Sequence, residues 1–325
     1  MQPVRWGVLG VAKIATKKVI PAMQQSAMTP VMAIASRDLA KAQAAAAELG
    51  IAKAYGSYED LLADPEIDAI YNPLPNHLHV PWSAKAAEAG KHVLCEKPLG
   101  LGVAEVRELI AVRDRTGVKM GEAFMVHTHP QWLRVKQILR EGLLGDLRVI
   151  TGFFSYYNDD PANIRNVVDW GGGGIMDIGC YPIHVSRFLL DAEPDQVLGI
   201  IDRDPLLKTD RVASAMLRYG SVQVTFTCST QLVPYQKVHI FGTKGRIEVE
   251  IPFNAPPDRP CRVFVDIGGD LFGSTVQTET FPVCDQYTLQ GEEFSRAIRQ
   301  GGEVPVPLEN SLGNMAVIEQ LLAQG

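Results

Sequence analysis

The sequence predicts an α/β protein: a doubly wound parallel sheet, followed by an α+β domain on a large, mostly antiparallel open sheet. Three observations carry this. Short apolar runs alternate with helical stretches over the first 125 residues. A Gly-rich turn follows the first apolar run. Beyond residue 190 the pattern becomes strands joined by tight turns. A length of 325 residues exceeds what one small core serves, so two domains are expected, residues 1–124 and 125–325.

In the first domain, strands are expected at Arg5–Leu9, Val31–Ser36, Ile67–Tyr71, His92–Cys95 and Val118–Ala123. Helices are expected at Lys13–Gln25, Asp38–Leu49, His77–Ala89 and Val103–Thr116. Asp38 is placed as an N-cap, and Gly50 lies just past the same helix. Right-handed crossovers put the strand C-termini on one edge, where ligands bind.

In the second domain, a helix at Pro130–Glu141 leads into a long strand, Leu147–Tyr157, and a helical run covers Ile175–Leu190. Strands Asp210–Tyr219 and Ser221–Thr227 flank one hairpin turn; Lys237–Phe241 and Arg246–Ile251 flank another. Helices return at Gln286–Gln300 and Leu308–Leu322.

The bulk properties exclude several function classes. A net charge of −6 gives no electrostatic reason to expect nucleic acid or an anionic membrane as partner. No apolar run approaches the roughly 20 residues of a membrane helix. The start shows no secretory pattern. The five cysteines are scattered without a C-x-x-C, which argues against a disulfide framework or a zinc site. A cytoplasmic setting is expected.

Gly10-Val11-Ala12-Lys13-Ile14-Ala15 occupies the place of a G-x-G-x-x-G/A turn between strand and helix, with alanine at two of the small positions. Small residues there let the backbone approach a pyrophosphate at the helix N-terminus. The second strand ends in Ser36-Arg37-Asp38. A guanidinium suits a 2′-phosphate, which favours NADP; Asp38 leaves NAD open. Pro73, Asn76 and His79 belong to a Pro-stiffened loop at the same strand edge, with Asn76 able to cap the next helix. His77 and His79 lack the partners a metal would need, so no metal is expected. Glu96-Lys97-Pro98 ends the strand at His92. A lysine there would reach the nicotinamide side of the edge and could polarise a substrate oxygen. On these residues alone, a surface lysine at a strand end is the plainer reading.

The stretch from Trp170 through Gly171–Gly174 to Asp177, Tyr181 and His184 is the most unusual. Four glycines let the backbone pass close to something large and flat. Asp177, Tyr181 and His184 share one helical face, a costly set for a core and a sensible one for a cleft. Pro182 threatens that face. The plain alternative is a glycine hinge before an amphipathic helix.

Taken in order, the N-terminal turn, Glu96-Lys97-Pro98 and Gly-Gly-Gly-x-x-x-Asp-x-Gly-x-Tyr resemble the Gfo/Idh/MocA oxidoreductases, over essentially the whole chain. Ala123-Phe124-Met125, His129-Pro130-Gln131 and Asp160–Arg165 are most similar to the branch of dihydrodiol dehydrogenase, NADP-dependent D-xylose dehydrogenase and glucose–fructose oxidoreductase. The resemblance implies an N-terminal Rossmann domain, Lys97 as the catalytic-site lysine, Tyr181 as the acid/base and Asp177 as an orienting carboxylate. It also implies a sugar or polyol substrate and a homodimer or homotetramer assembled through the C-terminal sheet. Lys97, Asp177, Tyr181 and His184 are the expected substrate contacts. Gly10, Ala12, Lys13, Ile14, Ser36, Arg37, Pro73, Asn76, His79, Glu96, Lys97, Arg165 and Trp170 are the expected cofactor contacts, although Arg165 reads equally as a surface residue. Ala12 and Ala15 replace glycines, and His127 stands where many relatives of the branch have Arg. The expected reaction is aldose oxidation at C1 to a lactone, with NADP. Two alternatives stay open: transfer between two sugars on a retained NADP, and a cofactor-sensing regulator without turnover.

Overall fold

The computed structural model describes residues 2–324. The chain divides into two compact units: residues up to Met125 with Gln286–Met315, and Val126–Asp285 with residues from Ala316 on.

The first unit holds a six-stranded sheet: β1 (Trp6–Leu9), β2 (Val31–Ala35), β3 (Lys53–Tyr55), β4 (Ala69–Asn72), β5 (His92–Cys95) and β6 (Met120–Glu122). Their order is β3-β2-β1-β4-β5-β6, and every pairing is parallel. Chain order reverses between β1 and β4, the point where open parallel sheets bind ligands. β1 and β4 are buried on both faces, which is why they read as apolar runs without alternation. The helix Leu39–Leu49 starts as expected: Asp38 accepts from the amides of Ala40 and Lys41. Such a cap contributes about 1 kcal/mol. The helix stops at Gly50, whose φ of 65° is left-handed.

The domain boundary needs correction. The helix Gln286–Gln300 and the chain to Met315 belong to the first unit, not the second. Trp6 is fully buried; its ring lies 5.6 Å from Phe294 and its Nε1–H donates to Ser295 Oγ at 3.2 Å. The Glu122 amide donates to Val306 O at 3.0 Å. Burying rings of this size is worth roughly 2–3 kcal/mol each, so the returning segment completes the core around β1.

The second unit holds an eight-stranded sheet: β7 (Leu147–Tyr157), β8 (Gln196–Arg203), β9 (Asp210–Tyr219), β10 (Val222–Ser229), β11 (Gln231–Gly242), β12 (Gly245–Val249), β13 (Cys261–Ile267) and β14 (Gln277–Phe281). The order is β14-β13-β12-β11-β7-β10-β9-β8, antiparallel except for β7 with β10. One face packs under helices: Pro182 lies against Gly152, and the Trp132 indole donates to Pro252 O at 2.7 Å. The other face leaves Leu198, Ile200 and Met216 exposed. Among the described residues, no helix is long and apolar enough to cross a membrane.

Four strands go beyond the sequence expectation, β3, β8, β13 and β14. β14 reads Gln-Thr-Glu-Thr-Phe and carries no apolar period, because it is a solvated edge strand.

Candidate active site

The first unit brings the expected cofactor residues from Gly10 to Lys97 to the C-terminal edge of its sheet; Arg165 and Trp170 belong to the second unit. Gly10 follows β1 with φ 85°, and its amide donates to Ala35 O at 2.8 Å. A Cβ at Gly10 would lie 2.9 Å from the tip of the Leu74 side chain, and it is the left-handed φ that calls for glycine. Ala12, Lys13 and Ile14 then enter the first helix, whose turn at Ala15–Val19 is widened to i→i+5 bonding. At the end of β2, the Arg37 charge acts on the Tyr58 hydroxyl, and Ser36 Oγ accepts from the Asp38 amide at 3.2 Å. Asp38 takes both helix-cap amides on Oδ1. A dinucleotide fits this edge: a glycine turn, small residues at the helix start, and a guanidinium at the second strand tip.

Two expectations on the β4 loop change. Asn76 lies in the 3₁₀ turn Asn76–Leu78, and the helix His79–Glu88 begins without a side-chain cap. His79 is buried, with Nδ1 2.8 Å from Pro98 O and Nε2 2.6 Å from Leu74 O. Its ring therefore ties the Pro73–Pro75 loop to the Lys97–Pro98 loop instead of touching a cofactor. Burial pulls the imidazole down to about pKa 4, against the two carbonyls, which favour its protonated form. Asn72 supports the same loop, donating to His79 O and Ser83 Oγ at 3.0 Å each.

Lys97 sits past β5 on a backbone pinned on every side. The Glu96 carboxylate accepts the Tyr71 hydroxyl at 2.5 Å and the Lys97 amide at 3.3 Å. The Leu99 amide donates to Glu122 Oε1 at 2.9 Å. Burial first, then the Glu96 charge, hold the Tyr71 phenol well above its ordinary pKa, so it remains a donor. Glu96, expected at the cofactor, also anchors the lysine loop.

In the second unit, the helix bearing Tyr181 starts in an unusual way. Ile175–Gly179 forms a wide i→i+5 turn, in which the Cys180 amide reaches Ile175 O, and the α-helix runs Cys180–Leu190. Pro182 thus falls in the first α-turn, where its missing N–H costs little. Asp177 accepts the Tyr156 hydroxyl at 2.5 Å and Arg165 Nε at 3.1 Å, both on Oδ2. Tyr181 is held between Phe154 and Phe253, ring centroids 5.7 and 5.5 Å away. Arg165, expected at the cofactor, is committed in part to Asp177, and Trp170 is exposed. His184, expected at the substrate, is fully buried, with Nε2 3.2 Å from His127 Nδ1. It braces the helix. Burial, then Lys136, hold His127 down to about pKa 4, so it is neutral.

The glycine run also has a different cause from the one expected. What passes close is the chain itself: a Cβ on Gly172 would lie 2.6 Å from Arg165 O, and one on Gly173, at φ 124°, would overlap Asp210 Oδ1. Tyr156, Tyr71 and Asp210 are site residues that the sequence did not single out. Only Tyr156 carries a local signal: it is in phase with buried Ile150 and Phe154 on the inward face of β7.

A model for an oxidoreductase family with an NAD-binding Rossmann fold matches residues 4–124, and the GFO/IDH/MocA C-terminal domain matches residues 132–248. An uncharacterised oxidoreductase of Rhizobium meliloti is 48% identical, covering 99% of this chain and 96% of its own. An NADP⁺ D-xylose 1-dehydrogenase of Haloferax volcanii is 38% identical, covering 97% and 95%. Among solved structures, a 3-ketoreductase from Actinomadura kijaniata in complex with NADP and TDP-benzene superposes with a TM-score of 0.91, at 28% identity, covering 99% and 98%.

Proposed function

The chain belongs to the GFO/IDH/MocA oxidoreductase family, and from that premise we propose an NADP(H)-dependent enzyme that moves a hydride between nicotinamide and a sugar or polyol. C1 of an aldose, oxidised to a lactone, is the reacting centre we favour. The carrying observation is the helix start that presents Asp177, already polarised by Tyr156 and Arg165, one turn before Tyr181. The cofactor, when bound, supplies the hydride chemistry.

Tyr181 takes the proton of the reacting hydroxyl. A phenol titrating near pH 10 is a poor base at neutrality, so it needs a cation, and Lys97 supplies that charge and holds the reacting oxygen. Asp177 orients a second hydroxyl of the sugar. Arg37 selects the 2′-phosphate, consistent with the NADP named for the xylose dehydrogenase and the ketoreductase. Replacing Arg37 by Ala should weaken NADP⁺ by roughly tenfold or more, the scale of one charge-assisted pair, and leave NAD⁺ nearly unchanged. Equal loss of both in a cofactor titration would remove Arg37 from this role.

All five cysteines are free thiols, in keeping with a reducing cytoplasm, where we place the enzyme. The open face of the second unit's sheet is proposed as the surface joining two or four copies. Around a recess of about 540 Å³ it exposes Leu198, Ile200 and Met216. Eight strands make a face of roughly 900 Å², the size class of a stable interface, about 800 Å² per partner. Ile200→Glu should shift the sedimenting species to monomer; an unchanged mass refutes this face.

The activity is tested by adding a panel of aldoses to the purified protein and following nicotinamide absorbance. Reduction of added NADP⁺ by one aldose supports the dehydrogenase. A signal present beforehand, bleached by one sugar and restored by another, indicates transfer on a retained cofactor. Cofactor binding with no turnover on aldoses, aldehydes or ketones overturns the enzymatic reading.

A further inference from the structure

Asp210 opens β9 and is 1% exposed. Its Oδ2 accepts the Ile175 amide at 2.6 Å, and Gly173 and Gly174 pass directly against the carboxylate. Ile175 begins the wide turn that carries Asp177 and leads into the helix of Tyr181. The carboxylate is so close that only glycine fits at 173: any Cβ would overlap Oδ1. At Gly174 a Cβ would still come within 3.2 Å of Oδ2. The Gly173 carbonyl in turn accepts the Asp177 amide at 3.0 Å. A continuous chain of short contacts therefore runs from a buried acid to the backbone of Asp177.

A buried carboxylate is an expensive way to satisfy one amide. Neutral side chains could cap a helix start at lower cost. What a charged acceptor adds is strength: Oδ2 holds the amide of the first residue of the wide turn, while the rest of the carboxylate packs against Gly173 and Gly174. We propose that Asp210 is a positioning residue for the reaction, locking the helix start so that Asp177 and Tyr181 keep their working places; this rests on the role of Tyr181 proposed above.

The geometry has a pH signature. Burial, outweighing the amide hydrogen bonds, raises the Asp210 carboxyl to about 6. The charged and titratable groups facing it are Arg203 from β8 and Cys228 from β10; Asp177 and Cys180, from the turn and helix, act in turn on Cys228. Cys228, fully buried, has its thiol pushed well above the ordinary range and stays neutral. Protonating Asp210 removes its charge and weakens its hold on the Ile175 amide, so turnover should fall as pH drops through about 6. Stability runs the other way. A folded pKa raised above the unfolded value means the acid favours folding when protonated. That contribution is complete below about pH 4 and is lost as pH rises through about 6.

The test is Asp210→Asn in the full chain. At pH 7.5 kcat should drop about 10- to 100-fold, the scale of a small misplacement of catalytic groups. The KM for NADP⁺ should change far less than kcat, because the glycine turn and Arg37 lie in the other unit. The limb near pH 6 should vanish from the kcat profile. Amide exchange across Gly174–Cys180 should speed up in the variant at pH 7.5, and in the wild type on going from pH 7.5 to 5.5 after correction for intrinsic rates. Exchange needs no turnover, so it decides the matter even if no sugar is oxidised. Wild-type kcat, an unchanged pH limb or unchanged exchange in the variant would each overturn the proposal. If the variant does not fold, the wild type alone decides: its exchange must change with a midpoint near 6, and a flat profile sinks the idea.

Discussion

Replacing Tyr181 by Phe should lower turnover by about 10²- to 10⁴-fold, the range ascribed to a positioned general acid or base. The ring packs between Phe154 and Phe253 and is 6% exposed. Phenylalanine fills the same volume, so folding should change by under about 1.5 kcal/mol. Cofactor affinity should be unchanged, since every residue of the cofactor edge lies in the first unit. The informative measurement is a triple: kcat, the NADPH dissociation constant and the melting temperature of the same preparation. A fall in kcat alone fits the acid/base role. Full activity in the Tyr181→Phe variant would show that the proton leaves by another route. A parallel loss of melting temperature would mean the hydroxyl holds the fold, and the rate effect would then say nothing about chemistry.

How far the linear sequence reaches depends on the distance over which each feature is decided. The parallel sheet was legible because β1, β4 and β5 announce themselves locally, as short apolar runs closed by Gly10, Pro73 and Pro98. The helix cap at Asp38 and the stop at Gly50 are equally local, and the structure holds both. The return of Gln286–Gln300 to the first unit is not local. It is decided by Trp6 meeting Phe294 and Ser295 from the far end of the chain, and an amphipathic helix does not declare which sheet it covers.

The same limit governs the site. Lys97, Asp177 and Tyr181 were visible through motifs, but what holds them was not. Tyr71 is 25 residues from Glu96 and Asp210 is 35 from Ile175. The glycine run therefore reads as room for a ligand, when the nearest crowding group is a carboxylate from a distant strand. His79 and His184 mislead for a related reason. Both carry the right chemistry for a site, but both rings are buried and engaged within their own units. A histidine's spacing does not reveal whether its nitrogens face solvent or the chain.

The second large effect is expected at Lys97. Lys97→Met keeps the length of the side chain and removes its charge, and kcat/KM should fall about 10²- to 10³-fold, the cost of losing one preorganised electrostatic partner of the reacting oxygen. The fold should be indifferent, because the loop is fixed by its neighbours: Glu96 holds the Lys97 amide, His79 meets Pro98 O, and Glu122 holds the Leu99 amide. Lys97→Arg should restore only part of the rate. The guanidinium retains the charge but cannot place a compact ammonium at the same point. This pair of variants separates the enzyme from a cofactor-sensing protein. In a sensor, the lysine could matter only through cofactor affinity, so Lys97→Met would shift the NADPH dissociation constant and leave no rate to lose. In the enzyme, the rate falls far more than affinity does, and arginine recovers a fraction of it. If both variants bind and turn over like the wild type, the charge that a tyrosine base requires must come from another residue, and the assignment of Lys97 fails while that of Tyr181 can still stand.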